Sequence, residues 1–578
     1  MSSTEYCQYP DRDCKPSQKP LKLSYYQGLC SEPLCNKTIG QLLEKAAKSN
    51  PQRVVFRCPE FNQEINLHDL LDRADAASRA LLSLGMKKGD VIFLTGVSDI
   101  EYFVLFFAIT QIGMIFHYPE IYEPVDKNFP GKISINPDAL FVGRACGKKL
   151  LDLVHDYTAK ARLSTLKYTV GVNAFDHTAD ILSYEEFLQK GHEVSVENLK
   201  IAKKQVSTDD VAVIASTTGT TSEPKRPCHT HFELANISKF SSVRVLPYKQ
   251  KEVLGSPNPF TDDMIFLHIL RPIYYFDDDI TMVLALSNLD MDDESTEGFI
   301  EFFHNEKITW YLGMPFQLIK VTESPLLSKY DISSLRGGVL VSHAVSQGVK
   351  AELLAKYKDL VTTYGSTEAI AVTTTSPVMS SPEQRCKTVG YGFPHCEVKI
   401  VDSYGSIVSI GEIGEIMTRG WSTFKCYWNE PEITATVKDT DGWVKLRDIG
   451  CMDDTGHVTY IGRSSDCVRF KHVGIQLYPK EILDIAMACD KVQEAKVIGV
   501  PNDVAGDVVC LFVEKKKGCS LTEKELQDAM ESKLALAFRP DCYYVMDKLP
   551  RIGSRNKIWN AKLQQMAEVT WRTKIVTI

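Results

Sequence analysis

The sequence predicts a mixed α/β protein with a large N-terminal α/β domain of several subdomains and a small, mobile α+β domain at its C-terminus. Helical and strand periodicities alternate along most of the 578 residues, which is typical of α/β architecture. The chain is also too long for one compact core, so we expect at least two domains. The first is predicted to span residues 1–462 and the second residues 463–578.

Apolar spacing predicts the elements of the N-terminal region in order. Residues 67–84 carry leucines and alanines at helical spacing and predict a helix that ends at Gly85. Residues 90–94 then predict a buried strand. A second short apolar run, residues 211–215, predicts another buried strand that stops at a hydroxyl-rich loop, and a helix is expected from Phe232 onward.

The pattern changes after Gly411, where short strands and turns predominate. Before that point, residues 339–341 and 360–364 predict two further core strands. The last block, from Arg463, has about 115 residues, enough for a small α+β domain. Its strands and helices are expected at residues 495–500 and 508–514, and at 479–489 and 522–534.

No part of the sequence predicts a transmembrane segment. The longest apolar run, residues 103–116, is shorter than the ~20 residues that a bilayer span requires, so we expect a buried helix packed on a sheet. Residues 1–18 contain acidic side chains and no apolar stretch, which excludes a secretory signal and disfavours a transit peptide. We therefore expect an intracellular protein, with no clear transit signal in these residues.

Composition excludes several classes of protein. The chain is 44% apolar and 24% charged, values of an ordinary globular protein, which excludes a disordered or collagenous chain. A net charge of −8 gives no support for nucleic-acid binding. The 16 cysteines are too sparse for a disulfide framework and form no C-x-x-C pair near histidines, so no zinc site is expected.

The most informative segment runs from Ser216 to Lys225, between a predicted strand and a predicted helix. It contains six hydroxyl side chains, one glycine and a terminal lysine. Hydroxyl donors, a mobile backbone and a compact cation are the groups that bind phosphate. The second glycine of a Walker A loop is absent, so this is not a P-loop. An ordinary polar surface loop remains the alternative.

A second segment, Tyr364-Gly365-Ser366-Thr367-Glu368, follows a predicted core strand. The carboxyl ends of strands form the ligand-binding edge of an α/β sheet. A glutamate beside a phosphate site is a suitable ligand for Mg²⁺, which binds one or two carboxylates plus phosphate oxygens. The alternative is a helix N-terminus that Thr367 caps, with Glu368 in the first turn.

Further motifs follow in a fixed order, at residues 411–415, 443–450, 462–466 and 549–558. With them the chain resembles the acyl-adenylate-forming enzymes: acyl-CoA synthetases, beetle luciferases and peptide-synthetase adenylation domains. The resemblance runs from about Thr38 to the C-terminus and is weakest between residues 119 and 205. It is strongest to the medium-chain acyl-CoA synthetases, through residues 23–26, 330–333, 337–339 and 477–479.

The resemblance implies a role for each matching residue. The loop that closes on the β- and γ-phosphates of ATP would comprise Thr217, Thr218, Gly219, Thr220, Thr221 and Lys225. Tyr364 would lie near adenine, Thr367 would contact the α-phosphate and Glu368 would hold Mg²⁺. Asp448 would bind the ribose hydroxyls, with Arg463 beside it at the start of a hinge. Lys557 would bridge the acyl carboxylate and the α-phosphate, and residues 337–346 would line the acyl and adenine pockets.

The activity implied by this resemblance is ATP-dependent activation of a fatty or related carboxylic acid through acyl-AMP, followed by transfer to CoA. The partners would be small molecules: the carboxylic acid, ATP with Mg²⁺, and CoA. One alternative is an adenylating enzyme that does not use CoA. Another is a catalytically weakened or silent paralogue that acts as a binding protein.

Several positions depart from the family pattern. Glycines are usual where this chain has Ser222, Arg226, Arg447 and Asn556. Ser465 replaces the Asp or Lys that is usual at the hinge, and two extra residues fall between Asp466 and Gly474. Thr261 and Asp262 stand where an aromatic residue and a histidine commonly line the acyl pocket. Together these departures keep the silent-paralogue alternative open.

Overall fold

The structure, a computed structural model, describes most of the chain. The described residues are 13–576 except for the segments 97–98, 119–134, 144–164, 173–180, 218–224, 246–250, 257–268, 275–278, 286–292, 314, 342–346, 371, 470–475, 502–506 and 553–556. Outside them lie Thr218, Gly219, Thr220, Thr221, Ser222, Thr261, Asp262 and Asn556, and nothing is described of the Lys557 side chain. In the described part of the chain, no helix has the length and hydropathy to cross a membrane.

Helices and strands alternate along the described chain. The helices are α1 (Ile39–Ser49), α2 (Leu67–Ser83), α3 (Ile100–Thr110), α4 (Tyr184–Lys190), α5 (Val196–Lys204), α6 (His231–Val245), α7 (Arg271–Tyr274), α8 (Asp293–Asn305), α9 (Pro315–Glu323), α10 (Gln347–Lys356), α11 (Pro382–Lys387), α12 (Pro431–Val437), α13 (Lys480–Met487), α14 (Glu523–Glu531) and α15 (Asn560–Val576). The strands are β1 (Tyr25–Gln27), β2 (Val54–Cys58), β3 (Gln63–Asn66), β4 (Val91–Thr95), β5 (Ile115–His117), β6 (Ala139–Gly143), β7 (Tyr168–Val172), β8 (Leu182–Ser183), β9 (Val211–Ile214), β10 (Pro227–Thr230), β11 (Glu252–Ser256), β12 (Ile280–Leu284), β13 (Trp310–Leu312), β14 (Gly337–Val341), β15 (Asp359–Tyr364), β16 (Thr374–Thr375), β17 (Tyr391–Gly392), β18 (Glu397–Val401), β19 (Gly414–Arg419), β20 (Cys426–Tyr427), β21 (Val444–Met452), β22 (Val458–Arg463), β23 (Val468–Arg469), β24 (Gln476–Leu477), β25 (Val492–Val500), β26 (Val508–Lys515), β27 (Cys542–Met546), β28 (Arg551–Ile552) and β29 (Lys557–Ile558).

Two large sheets form the N-terminal region. The eight-stranded sheet has the order β20-β10-β9-β5-β4-β6-β7-β8, and the nine-stranded sheet has the order β17-β16-β15-β14-β13-β11-β12-β2-β3. The strands from β9 to β8 run parallel, as do those from β15 to β2. Antiparallel strands flank both parallel blocks. The predicted α/β fold class is confirmed.

Helix α3 packs between these two sheets, and all of its residues are buried. The Phe103 ring stacks on that of Phe56 in β2, with centroids 3.8 Å apart, and the Phe106 ring meets that of Phe116 in β5 at 5.3 Å. The expectation of one buried helix over residues 103–116 is therefore wrong in its second half. The chain breaks at Gly113, which has a φ of 76°, and continues as β5.

A third sheet and a smaller C-terminal unit complete the fold. The third sheet is antiparallel, with the order β1-β18-β19-β21-β22. The C-terminal unit contains the three-stranded sheet β25-β26-β27 with α13, α14 and α15. A large N-terminal domain followed by a smaller C-terminal one is thus confirmed. The predicted boundary between residues 462 and 463 stays a prediction.

Most elements that the periodicity predicts are present. The helix predicted over residues 67–84 is α2, and Gly85 follows it with a φ of 74°. The strands predicted at 90–94 and 211–215 are β4 and β9, and those at 339–341 and 360–364 are β14 and β15. The four predicted C-terminal elements are β25, β26, α13 and α14.

A buried arginine ties the N-terminal segment to the rest of the domain. The Arg244 side chain in α6 has no exposed surface, and its Nε and Nη2 donate to the two Asp13 carboxylate oxygens at 3.0 and 2.7 Å. Its Nη1 donates to the Tyr391 carbonyl oxygen at 2.8 Å. The guanidinium also lies 4.5 and 4.4 Å from the ring centroids of Tyr391 and Phe393. Asp13 therefore neutralises the buried positive charge of Arg244.

Candidate active site

The two ends of the predicted phosphate loop lie side by side at the loop end of the β9–β10 hairpin. The Thr217 backbone N–H donates to the Lys225 carbonyl oxygen at 3.0 Å, and the Lys225 N–H donates to Thr217 Oγ1 at 2.9 Å. The antiparallel pairing of β9 and β10 leads directly into this pair. The hairpin thus brings Thr217 and Lys225 together, and residues 218–224 connect them.

The predicted metal ligand lies just past the end of β15. Thr367 opens a short 3₁₀ turn, Thr367–Ala369, and is buried, whereas Glu368 is half-buried. The preceding residue, Ser366, takes the N-cap position, and its side chain makes no capping hydrogen bond. A short 3₁₀ turn therefore begins here with Glu368 in its first turn, as the alternative expected, but the expectation that Thr367 is its cap is wrong.

Tyr427 connects Glu368 to the phosphate loop. Its hydroxyl donates to Glu368 Oε1 at 2.7 Å, and the Lys225 ammonium lies 5.2 Å from the centroid of its ring. The neighbouring Phe424 N–H donates to the Glu368 carbonyl oxygen at 2.8 Å. Sequence reasoning missed Tyr427, because it lies 59 residues from Glu368 with no spacing pattern to link them.

Asp448 is buried at the point where the nine-stranded and five-stranded sheets meet. The Tyr364 hydroxyl, at the end of β15, donates to Asp448 Oδ2 at 2.6 Å. Arg463 is the cross-strand partner of Asp448, and its Nε lies 3.0 Å from Asp448 Oδ1. Burial raises the pKa of Asp448 to about 6, although Arg463 and the Tyr364 hydroxyl act in the opposite direction. The structure thus brings the three predicted residues together.

Two of the departures from the family pattern occupy defined places. Arg226 is buried, lies 3.8 Å from Glu430, and its carbonyl oxygen accepts from the Trp428 N–H at 2.9 Å. Ser465 lies in the 3₁₀ turn Ser464–Asp466 that follows β22. Arg226 is therefore part of the join between β10 and β20.

Lys557 lies on a hairpin of the C-terminal unit. β29 pairs with β28 so that Lys557 faces Ile552 across the hairpin. Arg551 anchors the other strand, with its Nη2 at 2.5 Å from Glu494 and 2.8 Å from Glu514. The motif predicted at residues 549–558 is thus a hairpin held on the C-terminal sheet, and the role of Lys557 stays a prediction.

Comparisons with known proteins give the class to which this α/β protein belongs, the adenylate-forming enzymes. The family described as AMP-binding enzyme matches residues 43–428, and the AMP-binding enzyme C-terminal domain matches residues 481–556. The chain belongs to the AMP-binding enzyme family.

Individual relatives resemble the chain over nearly its whole length. The mitochondrial medium-chain acyl-CoA ligase ACSF2 of Rattus norvegicus is 28% identical and covers 94% of this chain and 90% of its own. The anthranilate CoA ligase AuaEII, solved with anthranoyl-AMP, has a TM-score of 0.77 at 20% identity over 93% of this chain and 99% of its own. ATP-bound MatB from Rhodopseudomonas palustris has a TM-score of 0.74 at 22% identity, over 92% and 99% of the two chains.

The raised pKa of Asp448 predicts a pH-dependent contribution to stability. An aspartate in the unfolded chain titrates at about 3.9, so ionisation of the folded protein at about 6 costs stability between these two values. As pH rises from 4 to 6, the wild type should therefore lose stability relative to Asp448→Asn, which cannot ionise. Thermal unfolding midpoints of both proteins across this range measure the difference.

A matched control is Asp441→Asn, at an exposed carboxylate before the same strand. Its midpoint should follow that of the wild type at every pH. A difference between wild type and Asp448→Asn that does not change with pH would show that Asp448 is not the titrating group.

Proposed function

We propose that the protein is an AMP-forming acyl-CoA synthetase that activates a fatty or related carboxylic acid as acyl-AMP and transfers the acyl group to CoA. The observation that carries this proposal is the convergence on Tyr427 of the phosphate-loop lysine, Lys225, and the carboxylate of Glu368. A cation and a carboxylate that both contact one tyrosine suit the binding of a triphosphate together with its metal ion. Names of relatives, such as medium-chain acyl-CoA ligase, support the substrate class.

The chemistry needs orientation and charge neutralisation more than a catalytic base. A carboxylate oxygen of the acid attacks the α-phosphorus of ATP, and the bond from that phosphorus to the pyrophosphate oxygen breaks. Nucleophile and electrophile are both anionic, so cations and N–H or O–H donors lower the barrier. Lys225 and the loop donors would hold the β- and γ-phosphates, and Thr367 would donate to the α-phosphate.

Asp448 and Tyr364 would fix the nucleoside. An ionised Asp448 is a strong acceptor for two ribose hydroxyls, and hydrogen bonds to charged groups contribute about 1.5–3 kcal/mol. The Tyr364 hydroxyl and Arg463 already hold this carboxylate in place. The Tyr364 ring, 5.3 Å from that of Tyr460, would form one wall near adenine.

The residues at the end of β15 fit a magnesium ion that arrives with ATP. Mg²⁺ is bound in nucleotide sites by one or two carboxylates together with phosphate oxygens, and Glu368 supplies such a carboxylate. One oxygen of Glu368 accepts from Tyr427, which fixes the orientation of the group. Bound there, Mg²⁺ would neutralise phosphate charge.

The second half-reaction would use a different wall of the same site. The CoA thiol attacks the acyl carbonyl, the bond to the AMP oxygen breaks, and AMP leaves. The C-terminal unit from residue 463, with Lys557, would rotate between the two steps, because adenylation and thiolysis need different groups above one acyl-phosphate centre. An intracellular location accords with the mitochondrial relatives.

The direct test is acid-dependent ATP–pyrophosphate exchange with acids from acetate to palmitate. We expect exchange with at least one fatty acid, and CoA-dependent release of AMP with the same acid. Exchange without any use of CoA would favour an adenylating enzyme of another kind. No exchange with any acid would favour the silent paralogue.

Substitution of Glu368 tests the metal ligand. Glu368→Gln should raise the Mg²⁺ concentration for half-maximal exchange about tenfold or more, because metal affinity depends strongly on such groups. Exchange rates across a magnesium titration give the value. Glu432→Gln, at an exposed acid of α12, should leave it unchanged. If the wild type, Glu368→Gln and Glu432→Gln all need the same Mg²⁺ concentration, Glu368 is not a ligand of the metal.

Substitution of Lys557 separates the two half-reactions. Lys557→Ala should lower acyl-AMP formation by about 10²–10³, the usual cost of one electrostatic contact in a transition state. Conversion of chemically prepared acyl-AMP with CoA should continue, because the rotated domain does not use this lysine. Lys562→Ala, at an exposed lysine of α15, is the control. Near-normal adenylation in Lys557→Ala would make Lys557 an ordinary surface lysine.

A further inference from the structure

Arg447 has a backbone conformation that favours glycine. Its φ is 57°, in the left-handed region, where an L-residue with a long side chain is strained by about 1–2 kcal/mol. The cause is a break in the sheet register: Glu415 pairs with Ile449 and Met417 with Lys445, so Ile416 alone faces the three residues 446–448. Glycine would fit this bulge without strain. The arginine therefore occupies its place at a cost.

The Arg447 side chain is exposed, and its charge acts on the phosphate-loop lysine. The pKa of Lys225 is lowered by burial first and by the positive charge of Arg447 second. The same charge acts on Tyr427, whose ring lies beneath the Lys225 ammonium. The charges of both Lys225 and Arg447 therefore act at Tyr427, and Lys225 lies over its ring.

Two acidic groups at this place, Glu368 and Glu430, act on Lys225 and raise its pKa, and each also has another partner. Glu368 accepts from the Tyr427 hydroxyl at 2.7 Å, and Glu430 lies 3.8 Å from Arg226. Among the residues that the structure describes, no carboxylate forms an ion pair with Arg447. Arg447 and Lys225 nevertheless repel each other, because the charge of Arg447 lowers the pKa of Lys225, and an anion with several charges would relieve that repulsion.

We propose that Arg447 is a phosphate-binding residue that, with Lys225, holds the terminal phosphates of ATP and the pyrophosphate product. This inference rests on the proposed function for its ligand. The guanidinium can donate two parallel hydrogen bonds to phosphate oxygens. Its neighbour Asp448 faces the buried side of β21, toward Tyr364. Adjacent residues of one bulge would thereby contact opposite ends of the same nucleotide.

The experiment measures binding of inorganic tripolyphosphate to the full-length protein by calorimetry, with AMP as a ligand that lacks the terminal phosphates. Arg447→Gly should weaken tripolyphosphate binding by about 10- to 100-fold, the range for a hydrogen bond to a charged group. Its affinity for AMP should stay within about twofold, because AMP lacks those phosphates. Arg447→Lys keeps the positive charge but lacks the planar pair of donors. Its affinity for tripolyphosphate should therefore lie between those of the wild type and Arg447→Gly.

Two controls exclude simple explanations. Lys445→Ala removes an exposed charge from the same strand, and tripolyphosphate affinity should then change no more than about twofold. The thermal midpoint of ligand-free Arg447→Gly should equal or exceed that of the wild type, since glycine relieves the strain. A folded variant with normal AMP affinity and weak tripolyphosphate binding identifies Arg447 as the phosphate contact.

Other outcomes overturn the inference. Equal tripolyphosphate affinity in wild type and Arg447→Gly would make Arg447 a solvated side chain, and tighter binding in the variant would make it an obstruction. A wild type that does not bind tripolyphosphate would also contradict it. If tripolyphosphate binding depends on Arg447 but no acid supports ATP–pyrophosphate exchange, the proposed enzyme function fails while the phosphate site stands.

Discussion

Two hydrogen bonds from tyrosines to carboxylates hold the candidate site together. Tyr427, on the eight-stranded sheet, donates to Glu368 at the end of the nine-stranded sheet. Tyr364, on the nine-stranded sheet, donates to Asp448 on the five-stranded sheet. Each bond thus crosses from one sheet to the next. A carboxylate withdrawn from water is costly without such a donor, so the same two contacts that satisfy the acids also join the three sheets at the site.

The charges of the site form two groups. Lys225 and Glu368 are both half-buried and contact Tyr427, whereas Asp448 is buried with Tyr364 and Arg463 beside it. The first group contains a cation, and the second contains a carboxylate acceptor. This division suits a ligand whose negative charge is concentrated at one end and whose sugar hydroxyls lie at the other.

Local spacing in the sequence predicts much of the fold but less of the site. The helix at α2 and the strands β4 and β9 follow from periodicity and from the glycine after α2. Periodicity fails at residues 103–116, because a segment buried on every side has no polar face to mark where a helix stops and a strand begins.

The residues of the site divide in the same way. Thr217, Lys225 and Glu368 can be predicted, because each follows a recognisable buried strand and carries a side chain with evident chemistry. Tyr427 cannot, since its importance arises only when β20 joins the edge of the eight-stranded sheet. The strain at Arg447 is likewise invisible in the sequence, because it results from pairing with β19.

The ion pair between Arg244 and Asp13 has a consequence for where the N-terminal domain begins. The family match starts at residue 43, and a shortened chain designed on that limit would lack Asp13. The Arg244 guanidinium would then remain in the interior with only carbonyl oxygens and aromatic rings around it. Removing one partner of such a pair typically costs about 3–5 kcal/mol. That is a large part of the stability of an ordinary domain, so the first residues after position 12 belong to the folding unit even though they precede the region that the family matches.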